Sequence, residues 1–458
     1  MTQSGGMKLL RVCAVWLAVA AAPAGAAGQE ASLAVDAPHP RLLLTARRLK
    51  LLRRERERES LRWNQFHLLM AGKAPMPEPG FAEALYYRVS GDSAAGQRAA
   101  AWALGAGADL RQLALVFDWC QDVLSAAQSK ALAAKLARTI QQTRRDSSMG
   151  AVRSRLLAAV ALAGHLPALP ESEFTQFREW WGSQIAPGLS NGRQPLPRYD
   201  SYALMEILHV VRDNFNEDLR DGAPRFFSDL AMVQILSYYP ATYPAGENEY
   251  RIPATLHATS EPDLRRAALS RAAEFSMVAY DSNAPGSQIL QGWLMNDNFL
   301  LRGTFGIPYE FLWANPYQPG LSFHQAPLVL HDEIFGRLFV RSNWEESASW
   351  LGCFEGELQL FEDGQVTEID PRRAAAPLQL TRAVVLFGAY TQKLKVAVEG
   401  DEAVFVVGLK PRRHYLIEVD DEEMAEASSD AGGILTLDLP HKAETGVRWR
   451  EAPGPIAH

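Results

Sequence analysis

Apolar residues recur at three- and four-residue spacing over most of the chain up to about residue 302, and at alternate positions after about residue 335. The first pattern predicts amphipathic helices, the second half-buried strands. Helical segments are expected near 81–89, 94–106, 110–122, 126–145, 149–165, 171–186, 201–215, 222–239, 262–280 and 288–302. Ahead of them, Thr45 is an expected N-cap for a helix carrying Leu49, Leu51, Leu52, Leu61, Trp63, Phe66 and Leu69. The Arg/Glu run at 53–58 is its expected solvated face, and its alternating charges argue against a nucleic-acid patch. Ser125 with Gln128 spells a capping box. Gly91-Asp92, Gly105-Ala-Gly107 and Pro167 punctuate the series as helix-hairpin turns. Residues 240–261 and 303–333, rich in Pro, Gly, Asn, Tyr and His, are expected to be irregular.

The strand pattern opens at Phe335-Gly-Arg-Leu-Phe-Val-Arg-Ser-Asn-Trp344. Asp363-Gly364 between two alternating runs marks a hairpin. Further strands are expected near 378–389, 393–398, 402–408, 414–419, 434–438 and 446–450, and the acidic run Asp420–Glu423 as a solvated turn. The fold class is therefore α+β and multidomain: an N-terminal helical domain over 28–333, in which antiparallel helix pairs could close into an α/α toroid, then a C-terminal β-sandwich. The β part is expected as a sandwich-type region over 334–400 and a small region over 401–458, where Gly408-Leu-Lys-Pro411 followed by Tyr415-Leu-Ile-Glu-Val419 resembles a fibronectin-III-like module.

Residues 1–27 read as a secretory signal: Lys8 and Arg11, the apolar stretch Val12–Ala22, and Ala24-Gly25-Ala26 as a cleavage site. The apolar stretch is too short for a bilayer span, which takes about 20 residues. An exported protein, periplasmic or secreted, is expected, with no membrane span. Net charge is −7, and loss of Lys8 and Arg11 takes it to −9, which disfavours nucleic acid as a partner. After cleavage only Cys120 and Cys353 remain, expected as buried thiols.

Candidate chemistry gathers in three places. Tyr202, Glu206 and His209 stand at i, i+4 and i+7, one helix face, which could offer a base, an orienting carboxylate and an acid, or could be an ordinary solvated stripe. Tyr250 and Arg251 follow a Pro/Gly/Glu-rich segment, where the tyrosine could transfer a proton and the guanidinium hold a carboxylate, or the two could form a plain surface turn. Asn191, Arg198 and Tyr199 precede the 201–215 helix as further substrate-binding candidates. Glu247, Glu249, Asp281 and Asp297 supply carboxylates for a hydrolase reading, without a visible pairing. No G-x-S-x-G, no phosphate-loop glycine fingerprint and no cysteine metal motif occurs.

Three stretches together resemble the heparinase II/III-like polysaccharide lyases: His39-Pro-Arg-Leu-Leu-Leu44 with Trp63; Leu113-Ala-Leu-Val-Phe-Asp-Trp-Cys-Gln-Asp122 with Leu124-Ser125; and Val340-Arg-Ser-Asn-Trp344 with Ala348-Ser-Trp350 and Gly356. The resemblance implies an α/α toroid with a β-sandwich, a polysaccharide partner, and β-elimination of a uronate-containing glycan. Tyr250, His209 and Tyr202 would then serve as catalytic residues, with Arg251, Asn191, Arg198, Tyr199 and Glu206 binding substrate. The family's His-x-His-x-Asp-like strand segment has no histidine here, where the chain reads Phe354-Glu-Gly-Glu-Leu-Gln-Leu-Phe-Glu-Asp-Gly364, so no metal or other cofactor is expected. A non-catalytic glycan-binding relative is the alternative, and a toroidal glycoside hydrolase the third choice.

Overall fold

A computed structural model describes residues 38–193, 196–245, 248–256, 263–296, 303–373, 376–389, 392–398, 400–440 and 444–453. These belong to one unit, Ala34–His458; the expected signal segment lies outside the described residues. The helices are α1 (Ala46–Glu57), α2 (Leu61–Ala71), α3 (Pro79–Ser90), α4 (Ser93–Leu104), α5 (Leu110–Trp119), α6 (Ala126–Thr143) and α7 (Met149–Ala161). They continue as α8 (Ala168–Trp180), α9 (Ala186–Asn191), α10 (Ser201–Phe215), α11 (Pro224–Leu236), α12 (Leu264–Tyr280), α13 (Pro285–Asn296) and α14 (Gly303–Trp313). Thr45 caps α1 by accepting from the Arg48 N–H, and Ser125 and Gln128 form the full capping box of α6.

Two kinds of helix alternate. Every residue of α5 is buried, as is every residue of α10 from Ser201 to Val211, and α3, α7, α12 and α14 are nearly as enclosed. These enclosed helices neighbour one another in the order α3, α5, α7, α10, α12, α14, and α14 returns to α3. Helices such as α1, α4 and α6 bury one stripe and turn charged residues outward.

Strands β1 (Tyr243–Ala245) and β2 (Asn248–Tyr250) pair as an antiparallel hairpin. The remainder are β3 (Val329–Asp332), β4 (Arg337–Arg341), β5 (Trp350–Phe354), β6 (Glu357–Glu362), β7 (Gln365–Ile369), β8 (Leu378–Leu380) and β9 (Ala383–Phe387). Then follow β10 (Leu394–Val396), β11 (Ala403–Val407), β12 (His414–Val419), β13 (Glu422–Ser428), β14 (Leu435–Leu437) and β15 (Thr445–Glu451). They form an antiparallel meander β3-β4-β5-β6-β7, a sheet β14-β11-β9-β8 with β9 and β11 parallel, and a sheet β10-β15-β12-β13.

Alternation along each strand explains how the sheets stack. Leu338, Val340, Leu351 and Cys353 of the meander pack on Ala383, Val385, Phe387 and Phe405 of the second sheet. The opposite face of that sheet, with Val384, Leu386, Val404 and Val406, packs on Val396, Ile417, Val419, Val447 and Trp449 of the third. Buried on both faces, β9 reads Ala-Val-Val-Leu-Phe without a polar position. The outer face of the meander, with Phe339, Trp350 and Phe354, meets Leu236, Tyr239 and Ala254 of the helical body. Trp350 Nε1 donates to Leu236 O across that seam (2.7 Å).

Several expectations are corrected. The first helix is two, because Glu59 takes a positive φ of 49° between α1 and α2. Residues 303–313, expected to be irregular, form α14 despite an internal Pro308. Glu55, placed on a solvated face, is fully buried against Arg62. The acidic turn is confined to Asp420 and Asp421, both at positive φ, and Glu422 begins β13. The division at residue 400 does not follow the sheets: β9 pairs with β11 and β10 with β15. Cys120 and Cys353 are buried free thiols.

Candidate active site at the helix–sheet seam

The trio on α10 shares one face, as its spacing requires, but that face is turned inward. Tyr202 is 2% exposed, Glu206 0% and His209 2%. Glu206 accepts from Arg111 Nε (2.9 Å) and Nη2 (2.7 Å) and from Arg153 Nη1 (2.9 Å). Burial opposes its ionisation, but the two guanidiniums outweigh burial and hold its pKa below the usual glutamate value. The Tyr202 hydroxyl accepts from Trp313 Nε1 (2.9 Å), and burial with the Glu206 charge raises its pKa well above 10. His209 Nε2 lies 3.1 Å from Ser276 O, and Arg212 Nη2 donates to Nδ1 (3.3 Å). Those partners fix the neutral tautomer with the proton on Nε2. Burial, Arg48 and Arg212 push its pKa well below 6.5. The expected base–carboxylate–acid stripe is thus committed to internal partners, and it is not a solvated stripe either.

A different group of charges meets at the seam. Arg198, just ahead of α10, donates to Glu274 Oε1 (2.7 Å), Ser270 Oγ (2.5 Å) and Ser237 Oγ (2.5 Å). Its guanidinium lies 4.6 Å from the Tyr238 ring centre, and Tyr238 also donates to Glu274 (2.7 Å). Burial and the Glu274 charge push the Tyr238 phenol up to about 12. Arg271 approaches Glu274 (3.6 Å) and the same ring (5.5 Å).

Arg251, reached directly after β2, donates to Pro240 O (3.0 Å), approaches Glu346 (3.5 Å) and lies over Trp293 (4.8 Å). Trp293 meets Trp344 at 6.0 Å, and Arg341 lies over Trp344 (4.7 Å). A cation, two indoles and a second cation therefore stand in series.

Arg341, which sequence reasoning did not single out, is the anomaly of this group. It ends β4 on the face turned to the helices and is 1% exposed. It donates to Tyr238 O (3.3 Å) and Asn343 O (3.2 Å), both neutral acceptors. Its Nη2 has no hydrogen-bond partner among the described residues, nor has Nε1 of Trp293. Burial, with repulsion from Arg251, lowers its pKa to about 9. A readable signal existed: Leu338-Phe-Val-Arg341 puts a charge where the strand's alternation calls for an apolar residue.

The other expected residues are dispersed. Tyr250 pairs through its backbone with Tyr243, and its side chain lies outside the described part of the structure. Tyr199 is exposed beneath Arg266 (5.1 Å), and Asn191 ends α9, its Oδ1 accepting from the Arg193 N–H. Of the carboxylates for a hydrolase, Glu247 and Asp297 lie outside the described residues, as does the Glu249 side chain, and Asp281 is paired with Arg220 (2.7 Å). Among the described residues no group of three His, Cys, Asp or Glu could hold a metal, and no helix is long and apolar enough to cross a membrane.

No family model matches the sequence, and no curated protein matches it. Among solved structures the chain is similar to one described as "Glycoside hydrolase", at 10% identity and a TM-score of 0.33, over 82% of this chain and 71% of that one.

Proposed function

We propose that the chain is an exported polysaccharide lyase that cleaves uronate-containing glycans by β-elimination at the helix–sheet seam. One observation carries this reading. Arg198, Arg251, Arg271 and Arg341 converge around Tyr238 and Trp293, with Glu274 the carboxylate within, and Arg341 keeps a buried donor without an acceptor among the described residues. A buried cation without a counter-ion is costly, and strongly perturbed ionisable groups cluster at functional sites. A uronate carboxylate would supply the missing acceptor and would gain a planar, charge-assisted partner.

The chemistry follows from that placement. Neutralising the carboxylate makes the C5 proton acidic. Tyr250, which directly precedes Arg251, is the residue we assign as base. The electron pair of the C5–H bond forms the C4–C5 double bond, the C4–O4 bond breaks, and O4 leaves with a proton returned by the same phenol. The neighbour order of the enclosed helices supports the toroid expected from the sequence, and the stacked sheets support a sandwich-like second region. Export rests on residues 1–27 alone. The commitment of Tyr202, Glu206 and His209 to internal partners favours a second reading, a glycan-binding relative without turnover.

The test is ultraviolet absorbance of unsaturated uronate during incubation with alginate, polygalacturonate, chondroitin, hyaluronan and heparan. The lyase reading expects a rise with at least one of them and its loss in Tyr250→Phe. A rise that survives Tyr250→Phe would remove the assigned base. Binding without any rise would leave the second reading in its place.

A further inference from the structure

At the opposite end of α10, about 20 Å along the helix from Arg198, lies a cleft of about 770 Å³ between α1 and the C-terminal ends of α10, α12 and α14. Its size falls within the roughly 300–1,000 Å³ of pockets that hold a compact ligand. Arg47, Lys50 and Arg54 on α1 and Arg58 at its C-cap line one wall, at three- and four-residue spacing along a single face. None of these four makes an ion pair among the described residues. The two carboxylates in the lining are already engaged, Asp213 by Arg212 (3.1 Å) and Asp281 by Arg220 (2.7 Å).

Elementary helix electrostatics makes the N-terminal part of this arrangement unfavourable without a counter-anion, while Arg54 and Arg58 sit at the end that favours cations. Like charges at three- and four-residue spacing repel. The first turn of α1 carries no acidic residue but two arginines, at the helix end where an anion is favoured. On the floor, Arg48 lies 4.2 Å from the Trp313 ring centre and donates to Leu312 O (3.2 Å), while its Nε has no partner among the described residues. An anion seated against α1 relieves all three.

We infer that this cleft is a second saccharide site, which takes a short acidic oligosaccharide, carboxylated or sulfated, independently of the elimination proposed at the seam. Tyr317, 51% exposed at the rim with Arg58 5.8 Å from its ring centre, offers a flat face for a pyranose ring. The exposed Asn283 can bond hydroxyls. The net charge of −7 makes a run of four cations on one wall a local departure from the character of the chain.

The experiment is calorimetric titration of Arg341→Met, which lacks the seam's uronate ligand, with a galacturonate hexasaccharide, a heparin hexasaccharide, a neutral maltohexaose and a single-stranded DNA dodecamer. At least one acidic sugar is expected to bind, more weakly as salt rises. Arg47→Glu combined with Arg54→Glu, both exposed positions, should raise Kd at least ~tenfold, and Tyr317→Ala about threefold, with thermal unfolding unchanged. Equal affinity for the neutral sugar, affinity unmoved by the double charge reversal, or DNA binding as tight as either acidic sugar would overturn the assignment. Failure of elimination at the seam would leave these binding results standing.

Discussion

Arg111 and Arg341 are both buried, at 2% and 1% exposure, and both sit against aromatic rings, yet they are held in opposite ways. Arg111 is bidentate to Glu206, approaches Glu78 (3.3 Å), and donates to the hydroxyls of Tyr309 and Tyr202. Its charge is matched inside the helical body. Among the described residues Arg341 has two backbone carbonyls, one indole face and a donor left over. Burial alone therefore does not describe an arginine's setting; the counter-ion differs between these two. The matched network locks α5, α7 and α10 together. The unmatched one is where we propose that a uronate carboxylate binds.

This contrast dictates what substitutions should do. Glu206→Ala removes the partner of two guanidiniums at once, and should cost about 3–5 kcal/mol in urea unfolding. A loss under about 1 kcal/mol would mean that Arg111 is not held as described. Arg341→Met gives up two hydrogen bonds to neutral acceptors but relieves a buried charge, so its stability should stay within about 2 kcal/mol of the parent. Its effect should fall on substrate instead: uronate turnover should drop at least ~100-fold, as expected when a charged partner of the reacting group is lost.

Two pH responses separate the regions further. Arg341, with its pKa lowered to about 9, is cationic below that value and neutral above it. Uronate affinity should be retained at neutral pH and fall as pH rises through about 9, read by titration calorimetry. Affinity constant to pH 11 would assign the carboxylate to another group. His209 is buried neutral, with its pKa well below 6.5, so the unfolded chain takes up a proton that the folded one refuses. Its contribution to stability is fully present above about 6.5 and is lost on acidification, by up to about 1.4 kcal/mol per pH unit. His209→Gln should flatten the acid limb of the stability curve, and an unchanged slope would refute the neutral tautomer.

Much of the scaffold was legible because it is local. Period 3.6 located helices such as α6 and α10, the Ser125–Gln128 box fixed the start of α6, and Asp363-Gly364 set the β6–β7 hairpin. Helix α14 was missed because Pro308, Pro316 and Pro319 made the stretch read as a loop, whereas the enclosed position of Tyr309 to Trp313 overrides local propensity. The site was harder. Spacing put Tyr202, Glu206 and His209 on one face but could not say that the face points inward, since that depends on Arg111 and Arg153, 95 and 53 positions away. Arg341 and Trp293 come together only through contact between the meander and α13, which no window of sequence contains.

If Arg341 receives a uronate carboxylate, as proposed, esterifying that carboxylate removes the contact. Turnover of polygalacturonate and of its methyl ester, compared in wild type and Arg341→Met, tests it most directly. Wild type should strongly prefer the free acid, and Arg341→Met should lose most of that preference. A wild type indifferent to esterification, or a variant that keeps the full preference, would contradict it.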